Sequence, residues 1–277
     1  RSEDDPLYHL AVVIDDCEGG VTHVIRGEDG IYNTPRQILL QEALGAPRPA
    51  YAHLPFVLAP ERAKLSKRHG AISVTEYRDR GYLPEAIVNF LALLGWSPGD
   101  NREILGMDEL VREFCLERVQ KPGAIFNVEK LDWLNKQYLK AMPPEKFCSL
   151  VAPFFPGKDI VRLAPIVLER ISKFADIDPG EFEYVFRRPD YPKGMLKTVE
   201  HLSRVREMLA AVPNDKFQIP VLKEALWDFA TLKGRGEVLW PLRVALTGRE
   251  RSPDPFTLAA LLGKEETLHR LDHALAL

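Results

Sequence analysis

The sequence has no overall excess of positive charge. Its 37 lysines and arginines are outnumbered by 40 aspartates and glutamates, which gives a formal net charge of −3. A chain of this kind does not attract nucleic acid through its bulk charge. Any polyanion that it binds would therefore have to be met by a local cluster of cations.

Cysteine is scarce and long apolar runs are missing. The cysteines Cys17, Cys115 and Cys148 lie far apart and form no CxxC pair, which excludes a zinc knuckle and a disulfide framework. This usage is typical of a reducing compartment, and we predict a cytoplasmic protein. No apolar run approaches the roughly 18 residues that a membrane span needs, so we predict no association with a membrane.

The histidines do not follow a metal-binding pattern. His9, His23, His53 and His69 are irregularly spaced, and we predict no structural metal ion. The first residues, "RSEDDPLYHL", contain neither a starting methionine nor a signal-peptide pattern. They lead directly into an apolar segment, and we expect the sequence to be a piece of a longer chain.

The first sixty residues have an α/β pattern. Residues 7–15 and 21–27 are rich in apolar and β-branched side chains and predict two strands, and residues 54–58 predict a third. Residues 33–45 predict a helix, which Thr34 would cap and Gly45 would end. Pro35 suits the first helical position and Gln37 would complete a capping box.

From residue 73 onwards the apolar period changes to 3.6. Ser73 and Glu76 form a capping box for the first of these helices, and Gly81 would end it. The predicted helices cover 73–81, 84–95, 107–114, 127–142, 144–153, 161–174, 193–212, 221–233, 238–247, 255–262 and 264–275. With 277 residues, of which 45% are hydrophobic, the chain can form two or three domains. We predict an α/β part at 1–60, a mixed helical part at 61–142 and an all-α part at 143–277.

A short basic loop follows the last predicted strand. The stretch "AKLSKRHGA" (63–71) carries Lys64, Lys67 and Arg68 within five residues. Cations on such a loop can hold a triphosphate and neutralise a leaving pyrophosphate. In open α/β sheets, ligands also bind beyond the carboxyl ends of the strands. An isolated pentapeptide of this composition fits a solvated surface loop better than a nucleotide site.

This loop stands in a series of motifs that resembles one family. In chain order the series is "YHLAVVIDD" (8–16), "THVIRGED" (22–29), "NTPRQILLQEALG" (33–45), "KLSKRHGA" (64–71), "GYLPEAIVNFLALLGWSPGDNREI" (81–104), "FNVEKLDWLNKQYL" (126–139) and "WPLRVALTGRERSPDPFTLAALLGKEETLHRLDHAL" (240–275). The whole chain resembles the C-terminal part of a bacterial-type glutamyl-tRNA synthetase, a class I enzyme. "KLSKR" is similar to the KMSKS signature of that class.

The resemblance implies an ATP-dependent glutamate–tRNA ligase. Glutamate and ATP, bound with Mg²⁺, would give glutamyl-adenylate, and the acyl group would then pass to the 3′ end of tRNA(Glu). The implied catalytic residues are Lys64, Lys67 and Arg68. The implied ATP site contains these three with Leu65, Ser66 and Glu28.

The resemblance also implies a site for L-glutamate formed by Tyr8 and Arg26. A phenol can donate to a carboxylate, and a guanidinium suits its geometry. The residues alone allow other interpretations, because Tyr8 could be a half-buried strand tyrosine and Arg26 could form a salt bridge with Glu28 or Asp29. Gly30 departs from the family pattern, which usually has a histidine or tryptophan there.

The fold implied by the resemblance is α/β followed by helices. Residues 1–60 would be the C-terminal half of a Rossmann-type catalytic domain, 61–142 the KLSKR loop with a stem-contact region, and 143–277 an all-α anticodon-binding domain. A HIGH-type sequence is missing, as is roughly the first two-fifths of a family member, and a half-sheet would expose its edges. We therefore expect a monomer that an N-terminal part could complete, and no ATP–pyrophosphate exchange by this chain alone.

The helical half would read the tRNA anticodon, and Arg170 is most similar to the arginine that separates glutamate from glutamine anticodons. Single-stranded bases stack on aromatic rings and arginine planes. Further cations with suitable chemistry are Arg162, Lys173, Arg187, Arg188, Lys193 and Arg235. Any one of them could instead be an ordinary solvated helix residue. We predict that Trp133, Trp227 and Trp240 belong to the core rather than to stacking platforms.

Three other functions fit parts of the sequence. A non-catalytic RNA-binding or adaptor protein would explain the missing HIGH-type sequence but not the basic loop. A helical scaffold that binds protein would not explain the α/β start. An enzyme that glutamylates a modified tRNA base would not explain the helices in 143–277.

Overall fold

The structure, a computed structural model, describes residues 6–65 and 73–277. The chain divides into two compact units. The first comprises Arg1–Ala141 with Ser172–Ala175, and the second comprises Met142–Ile171 with Asp176–Leu277. The division into parts at 1–60, 61–142 and 143–277 stays a prediction.

The first unit combines short parallel strands with helices. Its strands are β1 (His23–Gly27), β2 (Ala50–Leu54), β3 (Val57–Leu58) and β4 (Ala124–Ile125). Its helices are α1 (Tyr8–Glu18), α2 (Thr34–Ala43), α3 (Val74–Asp79), α4 (Pro84–Leu93), α5 (Met107–Glu113) and α6 (Val128–Ala141). β1 pairs with β2, and β3 pairs with β4, both in parallel. The predicted strand at 54–58 is thus divided between the end of β2 and the short β3.

The predicted strand at 7–15 is wrong, because these residues lie in helix α1. A short apolar run does not distinguish a strand from a buried helix by composition. β-Branched residues lose only a few tenths of a kcal/mol in a helix, so packing decides between the two. α1 packs against α2 and buries Val13.

Helix α2 forms where it was predicted, but it begins differently. Thr34 is the first helical residue rather than its cap, and Asn33 precedes it without a side-chain capping bond. Gln37 is buried and completes no capping box. The C-terminal end is as predicted: Gly45 has φ +65°, its N–H bonds to the carbonyl of Glu42, and the next N–H bonds back to Gln41.

The middle of the first unit is held by packing of α4 against α6. Its buried centre contains Tyr82, Phe90, Leu131 and Leu134. The capping box predicted for Ser73 and Glu76 is present at the start of α3. Trp133, however, is 42% exposed, so its predicted place in the core is wrong.

The second unit, all of whose residues are described, is helical and contains no strand. Its helices are α7 (Pro144–Val151), α8 (Ile160–Arg170), α9 (Leu202–Ala211), α10 (Ile219–Lys233), α11 (Arg235–Thr247), α12 (Pro255–Leu262) and α13 (Lys264–Ala276). Buried leucines on α9, α10 and α11 form its centre, with Trp227 and Trp240 packed against them. Across the described ranges, none of the helices combines the length and apolar character that crossing a bilayer requires.

Two predicted helices of this unit are shorter than expected. α8 ends at Arg170 because Ile171 is extended. The segment predicted as one helix at 193–212 is a 3-10 turn at Lys193–Leu196 followed by α9. Lys197 interrupts it with φ +62°, a conformation that no α-helix contains.

Candidate functional site

The carboxyl ends of β1 and β2 bring together residues that are far apart in the sequence. In the parallel register of these strands, Arg26 lies directly opposite His53. A 3-10 turn at Glu28–Asn33 follows β1 and places Thr34 beside both side chains. Ligands of open α/β sheets bind at this end of the strands.

The guanidinium of Arg26 is held by neutral groups. Its Nη2 donates to Thr34 Oγ1 at 2.7 Å and to the carbonyl oxygen of Gly30 at 3.0 Å. Its Nε lies 3.5 Å from His53 Nε2, and its Cζ lies 5.6 Å from the ring centre of Tyr51. The alternative salt bridge to Glu28 or Asp29 is absent, and no carboxylate within the described residues pairs with Arg26. The positive charge of this half-buried side chain is therefore not neutralised there.

Glu28 and Asp29, the acidic residues that follow Arg26, contact other groups instead of its guanidinium. Glu28 accepts a hydrogen bond from the backbone N–H of Phe56 at 3.0 Å and so ties the turn to the start of β3. Asp29 Oδ2 lies 3.0 Å from Lys64 Nζ, and both side chains are 61% exposed. The hydrogen bond from Lys64 holds the pKa of the Asp29 carboxyl below its usual value.

The described start of the basic loop lies against β3. The N–H of Leu65 bonds to the carbonyl of Val57 at 3.0 Å, and Lys64 Nζ lies 4.6 Å from the ring centre of Phe56. Leu65 also lines a cavity of about 390 Å³ beside Phe126 and Val128. The predicted residues Ser66, Lys67 and Arg68 lie outside the described residues.

Tyr8 lies in the first turn of α1 and is 61% exposed. The expectation of a half-buried strand tyrosine is therefore wrong. Within the part of the chain that the structure describes, Tyr8 and Arg26 share no hydrogen bond. Of the two predicted glutamate-binding residues, the structure thus gives only Arg26 a defined set of neighbours at the strand ends.

In the second unit, Arg170 ends α8 and pairs with Glu181 at 3.3 Å. Most of the other candidate cations also have partners. Arg187 pairs with Glu183 at 3.0 Å, Arg188 pairs with Glu266 at 3.1 Å, Arg162 bonds to the carbonyl of Leu261, and Arg235 lies 4.4 Å from the ring centre of Trp227. Lys173, which belongs to the first unit, pairs with Asp132 at 3.1 Å.

Sequence reasoning did not single out Arg243, although it lies in the quoted stretch "WPLRVALTG". This residue is on α11, and its Nε is buried without a hydrogen-bond partner in the described structure. A buried donor without a partner costs about 1–3 kcal/mol, so this nitrogen is an unusual feature of α11. No local signal in the sequence distinguishes it from the other arginines.

A metal site was not predicted, and none is found among the residues that the structure describes. Within 6–65 and 73–277, no three histidine, cysteine, aspartate or glutamate side chains are grouped to hold an ion. His53 instead contacts Thr34 and Arg26.

Two known families each match about half of the chain. Residues 1–133 match the family described as tRNA synthetases class I (E and Q), catalytic domain. Residues 129–275 match the family described as anticodon binding domain.

Similar proteins cover nearly the whole chain. The glutamate–tRNA ligase of Thermodesulfovibrio yellowstonii is 42% identical over 98% of this chain and 62% of its own length. Glutamate–tRNA ligase 2 of Thermoanaerobacter pseudethanolicus is 40% identical over 99% of this chain and 61% of its own length. The chain thus spans about three-fifths of the length of these relatives.

A solved structure is similar in both sequence and fold. It is the crystal structure of a glutamate tRNA ligase from Elizabethkingia meningosepticum in complex with its amino acid. The two share 35% identity and superimpose with a TM-score of 0.78 over 98% of this chain and 60% of the other.

Proposed function

Because the chain belongs to the class I tRNA synthetase family of glutamate and glutamine, we propose that it acts in the ATP-dependent attachment of glutamate to tRNA(Glu). The first step joins glutamate to the α-phosphate of ATP and releases pyrophosphate. The second step passes the glutamyl group to the terminal adenosine of the tRNA. Relatives at about 40% identity that are named glutamate–tRNA ligases support this function over a non-catalytic adaptor.

The observation that carries the proposal is the unneutralised charge of Arg26. A half-buried guanidinium with only neutral partners is poised to bind an anion, and charge-assisted hydrogen bonds to a carboxylate are among the strong ones. L-Glutamate offers such a carboxylate. Tyr8 would contribute a second contact to the amino acid through its exposed phenol.

The ATP site lies at the same end of β1 and β2. Lys64 and Leu65 would form its described part, and Ser66, Lys67 and Arg68, which lie outside the described residues, are assigned to it from the sequence alone. Lysine and arginine charges would neutralise the developing pyrophosphate, and Mg²⁺ would arrive with ATP as part of the substrate. Glu28 would act indirectly, by holding the turn that carries Arg26. In this arrangement β1 and β2 belong to the second half of a Rossmann-type sheet.

The second unit would bind the tRNA anticodon. Its match to an anticodon-binding family supports this, as does its helical architecture. Arg170 would contact a base after exchanging its partner Glu181. Arginine planes and aromatic rings are the groups that bind splayed single-stranded bases.

The proposal is tested by titrating the chain with L-glutamate in a calorimeter. Loss of a hydrogen bond to a charged group costs about 1.5–3 kcal/mol, so Arg26→Ala should raise the Kd about tenfold or more. Arg36→Ala, which removes an exposed arginine from α2, is the matched control and should bind like the unmodified chain. Equal affinity of the Arg26→Ala chain and the control would contradict the proposal.

A further inference from the structure

Arg26 fills the space that a side chain at position 30 would need. Gly30 is buried, and a Cβ built on it would lie 2.4 Å from Arg26 Nε and 2.7 Å from Arg26 Cδ. Its φ is not positive, so the backbone conformation itself does not require glycine. The glycine is needed because the shaft of Arg26, rather than only its flexible tip, lies against it.

Two placements of the protons around Arg26 can be compared, and the contact between Arg26 and His53 favours one of them. Thr34 Oγ1 accepts from Arg26 and has a single proton, which can go to His53 Nε2 at 3.0 Å or to the carbonyl of Gly30 at 3.1 Å. If it went to Gly30, His53 Nε2 would have to donate to Thr34. The Nε2–H would then face the Nε–H of Arg26 at 3.5 Å, donor against donor.

The other placement gives each contact of His53 and Arg26 a donor and an acceptor, and it leaves only the 3.1 Å contact between Thr34 Oγ1 and the carbonyl of Gly30 without a proton. Thr34 donates to His53 Nε2, Arg26 Nε donates to the same nitrogen, and the carbonyl of Gly30 accepts from Arg26 Nη2. His53 is then neutral and carries its proton on Nδ1. A ring that accepts two hydrogen bonds adds no charge to the site.

We propose that Gly30, Thr34 and His53 are positioning residues for Arg26, and that they leave its Nη1 as the nitrogen that meets an anionic ligand. Nε and both hydrogens of Nη2 are occupied, whereas Nη1 has no partner among the described residues. Because all the acceptors are neutral, the full positive charge remains available. The ligand class is a small carboxylate that approaches Nη1, and the inference rests on the proposed role of Arg26 in binding glutamate.

This arrangement differs from the usual way of fixing an arginine. A carboxylate partner would hold the guanidinium more firmly but would cancel much of its charge. Neutral acceptors orient it here instead. Their positions are fixed by the register of β1 and β2 and by the turn before α2. Removing one of them should therefore weaken ligand binding without removing the charge.

The first test is ¹⁵N NMR of the imidazole of His53 in the unmodified chain at neutral pH. The expected signature is the neutral tautomer with its proton on Nδ1. A proton on Nε2, alone or in an imidazolium, would overturn the inference. This measurement needs no variant and does not depend on activity.

The second test follows the Nε–H signal of Arg26 while L-glutamate is added. Thr34→Val and Gly30→Ala should each raise the Kd about fivefold or more, since each disturbs one or two of the neutral contacts that orient Arg26. Thr34→Ser keeps the hydroxyl and should bind like the unmodified chain. Gly236→Ala is the control, because a Cβ there meets nothing within 4 Å.

The outcomes separate the inference from the proposed function. If the unmodified chain binds glutamate and Thr34→Val binds it equally well, the positioning inference is wrong while the function stands. If His53 has the expected tautomer but the unmodified chain binds no glutamate, the function of Arg26 is wrong while the arrangement around it stands.

Discussion

Arg26 and Arg270 show two ways in which this protein uses an arginine. Arg26 has neutral partners and a charge left for a ligand. Arg270 on α13 is only 3% exposed and serves the fold. Its Nη1 donates to the carbonyls of Tyr184 at 2.7 Å and Leu246 at 2.5 Å, and its Nε donates to Glu266 at 2.8 Å.

Replacement of Arg270 should therefore destabilise the second unit. Arg270→Met keeps most of the volume but leaves two buried carbonyls unsatisfied, so we expect a loss of about 2–4 kcal/mol in the free energy of unfolding. Urea denaturation measures this loss. Arg204→Met, which removes an exposed arginine paired with Glu207, should change stability much less. Similar losses of stability in both variants would contradict the claim that the buried hydrogen bonds of Arg270 stabilise the second unit.

The partner of Arg270 makes the stability of this unit depend on pH. Burial raises the pKa of Glu266, but hydrogen bonds from Arg188 and Arg270 outweigh it and hold the pKa below its ordinary 4.5. A carboxylate with a lowered pKa stabilises the fold fully above its ordinary pKa. That contribution is lost as the pH falls through the lowered value.

We therefore expect the difference in stability between the unmodified chain and Glu266→Gln to be constant at neutral pH and to shrink in acid. Urea midpoints measured at about pH 6 and about pH 3 would show this, since below its ordinary pKa of 4.5 the unfolded carboxylate binds a proton more readily than the folded one. Subtracting the stability of Glu266→Gln from that of the unmodified chain at each pH removes the contribution of the other carboxylates. A difference that does not change between the two samples would contradict the assigned role of Glu266.

The residues of the site were only partly predictable. Arg26 stands out by resemblance, and its lack of an acidic partner was one of two interpretations that its neighbours allowed. Thr34 was predicted as a helix cap, but its hydroxyl bonds to the site instead. His53 could not be placed beside Arg26, because the register of β1 and β2 is set by pairing between distant segments.

At the scale of the elements, the sequence predicted those helix ends that depend only on neighbouring residues. The capping box of α3 depends on two residues three positions apart, and Gly45 ends α2 through its own φ. The segment of α1 was predicted as a strand from its apolar and β-branched composition. It is a helix because it packs against α2, and local composition does not encode that contact. The break at Lys197 likewise depends on the surrounding fold, as nothing in the local sequence marks a positive φ there.

The capping box gives a prediction for α3. Ser73 Oγ accepts from the N–H of Glu76 at 3.3 Å, and removal of such a cap costs about 1 kcal/mol. Ser73→Ala should therefore speed hydrogen exchange at the amides of Glu76 and Tyr77 several-fold. Ser149→Ala, whose hydroxyl bonds within α7, should leave those amides unchanged. Unchanged exchange in Ser73→Ala would mean that the cap adds nothing to this helix.

At the scale of the whole molecule, a net charge of −3 conceals local cations. In the second unit, whose residues are all described, several lysines and arginines have no carboxylate partner, and they lie on α10, on α11 or in the turn that packs against α11. These are Lys193, Lys197, Lys223, Arg235 and Arg243. Three of them lie against tryptophan rings: Lys197 is 3.8 Å from the ring centre of Trp240, and Lys223 and Arg235 are 4.8 Å and 4.4 Å from that of Trp227.

Binding of tRNA to the chain should consequently depend on salt. Release of counterions from three to five phosphate contacts predicts a fall in affinity of about tenfold to a hundredfold between about 50 and 200 mM salt. Filter binding at several salt concentrations measures the slope. Lys223→Gln with Arg235→Gln should reduce the slope, whereas Arg204→Gln, which removes a paired cation, should not. An affinity independent of salt would exclude this surface as a binding site for RNA.

The most direct test of the whole account is anticodon discrimination by the chain. The Kd for tRNA(Glu) is compared with the Kd for the same tRNA carrying a glutamine anticodon, at one salt concentration, for the unmodified chain and for Arg170→Ala. We predict that the unmodified chain binds the tRNA with the glutamate anticodon more tightly. In Arg170→Ala, the ratio of the two Kd values should be closer to one. Equal affinity of the unmodified chain for both tRNAs would contradict the proposed reading of the anticodon.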